Sequence, residues 1–511
     1  MNLVFEREKQ RINIQHRLDS HKEHSERNKL GQFATPPALA EEILKHTHSI
    51  FPSNFRVRFL DPAIGTGSFF SALMRVFPES RIEEAVGYEI DPEYATIAKG
   101  LFAETPLKVI CEDFTKANPP TSERNKFNLM ICNPPYSRHH HLKKEEKIRL
   151  RKDVMRTTGI QLSGLSGIYC HFLCMSHAWL SHNGIAGWLI PSEFMDVNYG
   201  KALKNYLLNS VTLLRIHRFN PNNMQFKDAY VSSAIVWFRN AQAQKDTEIE
   251  FSYGGNLTSP TIVQQVPLQN LQISEKWTRY PETPENYINV GNYRLSDFFE
   301  IKRGLATGSN KFFIMTVEKA RKLRIPTEFL RPILPPPRDL HVDLVEADEN
   351  GKPILDKELV LLDCPLSEQT VRLNYPFLWI YLQDGIKAGI HKRYLCAHRS
   401  PWYAQENRPA SSILCSYMGR SIPKRENPFR FVLNLSKATA TNVWLFLYPK
   451  QKIASHLENN RKLLKSVWYV LNHIPNSDLM RRGRVYGGGL HKLEPRELGN
   501  APADEIAKLL N

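Results

Sequence analysis

The sequence predicts an open α/β sheet of seven strands, the last antiparallel, followed by a separate C-terminal α+β domain. Three observations carry this expectation. Short runs rich in β-branched and aromatic residues alternate with helical stretches from Phe55 to about Arg239, the pattern of parallel strands with helices on both faces. A glycine loop follows the first of those strands, where sheets of this kind bind ligands. After Asn240 the texture changes: the remainder is aromatic and Pro-rich, with RPILPPPRD (331–339) the extreme case, and shows no βαβ periodicity.

The strands are expected at FRVRFL (55–60), EAVGYEI (84–90), LKVICE (107–112), FNLMICN (127–133), GIAGWLIP (184–191), LLRIHRF (213–219) and VSSAIVWF (231–238). Helical stretches near 67–78, 92–103 and 166–181 separate several of them. The last two strands follow each other without an obvious helix, so the final one is read as antiparallel. Residues 1–30 are polar, highly charged and read as an N-terminal helical arm. An α/β domain is placed at 31–245, a linker at 246–285 and the C-terminal domain at 286–511.

A chain of 511 residues is long enough for two or three domains, and 42% hydrophobic against 23% charged residues gives each a core. Lys and Arg number 68 against 52 acids, a net charge of +16 that calls for a polyanionic partner. No apolar run approaches the roughly 18–20 residues of a membrane helix. The opening MNLVFEREKQRINIQHRL lacks the apolar segment of a secretory signal. Seven cysteines scattered from Cys111 to Cys415 suggest reduced thiols. The expected location is therefore the cytoplasm, with no membrane contact.

FLDPAIGTGSFFSALM (59–74) carries the first site. Gly65 and Gly67 allow a sharp turn and close approach of a ligand, and the helix starting near Ser68 offers unpaired N–H groups. Asp61 would repel a pyrophosphate but suits a cationic amino-acid ammonium. Glu89 ends the second strand, where ribose hydroxyls are held. Asp113 and Phe114 end the third and supply a carboxylate and an apolar ring for an adenine. The plain alternative is an ordinary strand–helix turn.

Asn133-Pro134-Pro135-Tyr136 ends the fourth strand. Two prolines fix the backbone and donate no hydrogen bonds, so carbonyls there stay free to accept. The Asn133 amide oxygen and the Pro134 carbonyl would accept both protons of an exocyclic amine, directing its lone pair at an incoming electrophile. Tyr136 offers a flat face to a purine.

With these motifs the chain resembles the S-adenosylmethionine-dependent amino-group DNA methyltransferases, which share a Rossmann-like class I fold. GQFATPP (31–37) looks like their methionine-binding element. Its position ahead of the glycine loop, NPPY and a large C-terminal region is the order of the gamma class of N6-adenine enzymes. The resemblance covers roughly residues 30–240. It implies that Thr35, Asp61, Ala63, Gly65, Gly67, Glu89, Ile90, Asp113 and Phe114 hold S-adenosylmethionine and that Asn133, Pro134, Pro135 and Tyr136 are catalytic. FKDAYVSSAIVWF would place Phe226 beside a flipped base stacked on Tyr136. RGLATGSNKFF (303–313) and RVYGGGLHKLEPREL (484–498) look like parts of the family's target-recognition domain. The implied protein is a monomeric bacterial enzyme that acts on double-stranded DNA and protects it from a cognate restriction endonuclease. The same tetrapeptide also occurs in RNA and glutamine N-methyltransferases, and a non-catalytic DNA-binding specificity protein is a further alternative. A cytosine-C5 enzyme is disfavoured, because the chain has no Pro-Cys nucleophile.

Eight Lys/Arg and three acids at 138–156, after the run His139–His141, read as a flexible basic loop touching phosphates rather than as a metal site. Eight Lys/Arg and two acids at 391–430 are interleaved with Tyr394, Trp402, Tyr403 and Tyr417, the composition of a nucleic-acid surface. Lys311, Arg399, Arg481, Arg482 and Arg484 are the expected DNA contacts. Cys170, Cys174 and His177 share a helical face and read as a core stripe. No metal is expected.

Overall fold

The computed structural model describes residues 2–21, 31–137, 142–221, 223, 225–226, 232–281, 291–420, 427–486 and 489–510. The chain forms two compact units, Met1–Tyr287 with Tyr486–Gly488, and Ile288–Val485 with Gly489–Asn511.

The strands of the first unit are β1 (Val57–Asp61), β2 (Ile82–Tyr88), β3 (Leu107–Ile110), β4 (Phe127–Cys132), β5 (Leu180–Pro191), β6 (Thr212–Arg218), β7 (Ser233–Arg239), β8 (Glu248–Tyr253) and β9 (Ile262–Pro267). Among the described residues they form one sheet in the order β3-β2-β1-β4-β5-β7-β6-β8-β9. β1 to β5 run parallel, and β7 runs antiparallel to both β5 and β6. Helices α1 (Asn2–His21), α2 (Pro37–Ile50), α3 (Ser68–Val76), α4 (Pro92–Leu101), α5 (Lys144–Thr158), α6 (Ile168–Met175) and α7 (Lys201–Asn209) belong to the same unit. The apolar residues split into two clusters, one containing Trp188, Tyr169 and Phe114, the other Phe59, Phe70 and Trp237. Cys170 and Cys174 lie in the first cluster.

The sheet has nine strands where seven are expected, because 246–285 is not a linker. β8 pairs parallel to β6, and β9 pairs antiparallel to β8. Without β8, the hydrogen-bonding edge of β6 would be open. Polar side chains also fasten this segment: Arg215 donates to Ser252 Oγ and the Leu257 carbonyl, and Asp196 accepts from Thr278. Trp277 is fully buried. The polar, Gln-rich texture of 241–270 concealed the strands because β9 buries few of its residues.

Order along the sheet fixes where chemistry can sit. From β1 the chain proceeds outward to β2 and β3, and then returns to β4 on the other side of β1. The carboxyl ends flanking that reversal form the crevice where open α/β sheets bind ligands. Asp61, Glu89, Asp113 and Asn133 all stand at or just beyond those ends.

The second unit is α+β. A five-stranded sheet has Phe299–Arg303, Trp444–Pro449, Ile413–Ser416, Phe431–Asn434 and Leu344–Val345 in that order. A four-stranded sheet has Ile314–Thr316, Leu359–Leu362, Leu330–Leu334 and Thr439–Ala440.

Candidate active site

The glycine loop is held by the carboxylates around it. Asp61 is 1% exposed, and its Oδ1 accepts the Ala63 N–H at 3.1 Å. Its Oδ2 is buried and makes no close hydrogen bond among the described residues, the weakly donating Cys132 thiol being the side chain that lies beside the carboxyl. Burial pushes the Asp61 carboxyl up to about 8, and the charge of Glu89 acts in the same direction. Glu89 is also buried, which raises its pKa. Its two oxygens accept the N–H groups of Gly65 and Asp91, each at 2.9 Å. A carboxylate has about four acceptor positions, so further donors can still bind. Gly65 has φ +56°, and a side chain placed there would meet nothing within 4 Å. Gly67, at φ +90°, starts α3, and a Cβ there would lie 2.4 Å from the Phe102 ring.

These features suit a cationic, hydroxyl-bearing ligand. An ammonium would satisfy Asp61 Oδ2 and return that carboxyl to its charged form. Hydroxyl donors would find Glu89, and the open space over Gly65 leaves room for the ligand.

The expected adenine pair is divided by the fold. Phe114 is 2% exposed, with Tyr88, Phe172 and Trp179 at ring distances of 5.2–5.6 Å. Asp113 caps the turn after β3 by accepting from the Thr115 N–H and hydroxyl. Ile90 is 65% exposed and is the open apolar side chain of the set.

Asn133 is oriented by the segment that precedes α2. Its Nδ2 donates to the Phe33 carbonyl at 2.9 Å and to Thr35 Oγ1 at 3.1 Å. The Phe33 carbonyl can only accept, so the amide nitrogen must face it and the oxygen must face away. Asn133 Oδ1 is buried and has no partner among the described residues, an expensive state unless a donor arrives. Gly31 brings this segment close: its carbonyl accepts the Tyr136 N–H, and at φ +71° any Cβ would lie 2.4 Å from Tyr136 N. Pro134 is buried and Pro135 half-buried.

Tyr136 donates its hydroxyl to the Leu189 carbonyl at 3.0 Å. Its ring forms a triangle with Phe33 and Phe226, with all three centroid distances 5.9 Å. Only 8% of Tyr136 is exposed, so a base can reach its face only after a neighbouring ring moves. Phe33 completes this cluster without having been singled out in the sequence. The signal was its place between Gly31 and Thr35.

The basic residues behave differently. Most of 138–156 is the helix α5, not a loop, and Arg149 pairs with Glu146 and Asp153 on it. His139–His141 lie outside the described residues. Trp402, Tyr403 and Tyr417 are buried in cores, and only Tyr394, 76% exposed, faces outward. Lys311 is exposed. Arg399 donates to the carbonyls of Ala306 and Thr307, and so braces the RGLATG segment from within. Arg484 pairs with Glu497 at 3.0 Å, while Arg481 and Arg482 are half-buried.

Two family models match the chain: the Eco57I restriction-modification methylase over residues 86–226, and the C-terminal domain of the type II methyltransferase M.Eco57I over 275–509. The chain belongs to the type II restriction–modification methyltransferases. It is 28% identical to the type II methyltransferase M.AccI of Acinetobacter calcoaceticus over 92% of this chain and 85% of that protein. Identity to M.XamI of Xanthomonas campestris pv. amaranthicola is 27%, over 86% and 79%. The fold is similar to that of the type IIL restriction-modification enzyme MmeI, solved in complex with DNA, with a TM-score of 0.54 and 14% identity. That match covers 85% of this chain and 65% of MmeI, so this methyltransferase spans less than two thirds of that enzyme. Among the described residues, no helix is long and apolar enough to cross a membrane.

Proposed function

We propose that this methyltransferase transfers the methyl group of S-adenosylmethionine to the N6 amine of an adenine flipped out of double-stranded DNA. The observation that carries the reading is the buried, unpartnered Asn133 Oδ1, held in orientation by two hydrogen bonds on the other end of the same amide. An acceptor kept waiting in a water-poor site matches a donor that arrives with the substrate, and an exocyclic amine is such a donor.

S-adenosylmethionine supplies an electrophilic methyl on sulfur. Asp61 would hold its ammonium, Glu89 its ribose hydroxyls and Ile90 one face of its adenine, with Thr35 near the methionine end. Asn133 and the Pro134 carbonyl accept the amine protons and orient the nitrogen lone pair. No strong base is needed, since the amine proton becomes acidic only as the bond to nitrogen forms and the bond to sulfur breaks, and it then leaves to water. Flipping costs a few kcal/mol, which contact with the rings of Tyr136, Phe226 and Phe33 would partly offset. The second unit would read the DNA sequence, and the reaction would protect DNA from a partner endonuclease.

Long-read detection of modified bases in DNA from cells expressing the protein tests this reading. N6-methyladenine at one recurrent sequence is expected. N4-methylcytosine, or no modified DNA base, would overturn the assignment of adenine.

A further inference from the structure

Helix α1 carries a polar stripe on its buried face. Glu8, Arg11 and Gln15, spaced three and four residues apart, are 4%, 1% and 8% exposed. Arg11 and Gln15 meet Thr66, the residue between Gly65 and Gly67, itself 2% exposed. The Thr66 hydroxyl donates to Gln15 Oε1 at 2.7 Å and accepts from Arg11 Nη1 at 3.2 Å. Glu8 grips Arg11 with both oxygens, at 2.7 and 2.8 Å, and Gln15 is held in turn by Asp19 at 3.0 Å. Arg75 of α3 approaches Glu8 at 3.8 Å. Arg7 lies over Phe102, the ring against which Gly67 packs.

Burying an ion pair is a poor route to stability, because apolar residues of similar size serve at least as well. A helix needed only to cover the sheet would present an apolar stripe. Beside the buried Leu18, this one presents a donor and an acceptor to a single hydroxyl, and that hydroxyl belongs to the loop whose N–H groups and open glycine must be correctly placed for a ligand. Thr66 makes one bond to each of two side chains, which fixes the rotation of the loop as well as its position.

We infer that α1 is a clamp on the cofactor loop, with Gln15 and Arg11 as positioning residues that set S-adenosylmethionine affinity through Thr66. The inference rests on the cofactor reading above. It assigns a role in methyl-donor binding to a helix that lies outside both family matches and outside the expected α/β domain.

The test is calorimetric titration of the full chain with S-adenosylmethionine, well below its melting temperature. Gln15→Met should weaken binding about tenfold, the weight of one hydrogen bond lost to a buried partner, and Thr66→Val, which removes the bonds to both Gln15 and Arg11, by at least as much. The double variant should be no weaker than Thr66→Val alone, because that variant has already removed the bond to Gln15. Thr66→Ser should restore what Thr66→Val loses, and Lys9→Ala on the exposed face of α1 should change nothing. Glu89→Ala separates the two readings. If it weakens binding while Gln15→Met and Thr66→Val match wild type, the clamp is refuted and the cofactor site stands. Additive losses in the double variant would also refute the clamp, by making the two residues independent. If Glu89→Ala has no effect, the cofactor reading itself falls. Should Gln15→Met fail to fold, the Val and Ser variants at Thr66 decide alone.

Discussion

The strand-end groups of the first unit and two arginines of the second bury their polar atoms in opposite ways. In the first unit, side chains at the strand ends are buried with an atom left unsatisfied, as at Asp61 Oδ2 and Asn133 Oδ1. In the second, the buried Arg430 and the half-buried Arg331 are satisfied. Arg430, 7% exposed, donates to Asp343 and to the carbonyls of Pro337, Leu340 and Val342. Arg331 bridges Asp363 and the Arg408 carbonyl. An unsatisfied buried acceptor costs stability and signals a ligand. A satisfied buried cation signals architecture. The lesson is that net charge counted along a chain is not charge available to a partner.

Substitutions put that contrast to the test. The largest effect is expected for Asn133→Ala, which should lower methyl transfer by about 10²–10³-fold or more, the scale for losing one preorganised catalytic hydrogen bond. Cofactor affinity should stay close to wild type. A collapse of cofactor binding in calorimetry would contradict the role given to Asn133.

Next comes Arg430→Ala in the second unit. Losing a guanidinium that satisfies several buried carbonyls should cost about 3 kcal/mol of stability in denaturant unfolding. Because the proposed cofactor groups all lie in the first unit, S-adenosylmethionine binding should survive under folding conditions. A variant as stable as wild type would show that such arginines are not structural.

Glu89→Ala should weaken cofactor binding about ten- to hundredfold, since hydrogen bonds to a charged group are lost. It should also lower the melting temperature, because the N–H groups of Gly65 and Asp91 lose their acceptor. A fall in melting temperature alone, with unchanged affinity, would reduce Glu89 to a loop support and overturn the cofactor reading.

A smaller effect follows from Asp61. Its folded-state value of about 8 lies above the ordinary carboxyl value of 3.8, so without ligand the native state holds the proton more tightly. That contribution to stability is complete below about pH 4 and is lost as pH rises through 8. Binding an ammonium requires the charged form, so cofactor affinity should climb from pH 6 towards 8, by at most about tenfold per unit. The climb should stop there, because the ligand's own α-amino group loses its proton at about pH 7.7–8.0. Asp61→Asn should flatten the profile, and an unchanged profile in that variant would remove Asp61 from the ammonium site.

The smallest effect is expected at Arg484. Its guanidinium already faces Glu497, so Arg484→Ala should change the salt dependence of DNA binding by well under the about one unit expected for a phosphate contact. A full unit would return Arg484 to the DNA surface.

Much of the first unit was legible in the sequence. Strand position follows from local runs, and a strand end is a local address, so Asp61, Glu89 and Asn133 could be assigned to one edge from the order of motifs alone. The antiparallel β7 was legible too, since no crossover helix precedes it. Other features depended on partners distant in sequence. That Phe33 joins Tyr136 and Phe226, that Phe114 turns into the core while Ile90 faces out, and that 246–285 adds two strands are decided by packing and by the need to pair the edge of β6. The N-terminal stretch read as a charged arm docks its polar face on Thr66, some 50 residues away, and neither composition nor periodicity specifies that partner.

The sequence by itself determined which groups could do chemistry and along which edge they would gather, because motif and strand end are local properties. Tertiary structure alone decided which charges are available and which acceptors wait unpaired. Hydrogen-bond satisfaction is settled between residues far apart in the chain, by the geometry of their burial.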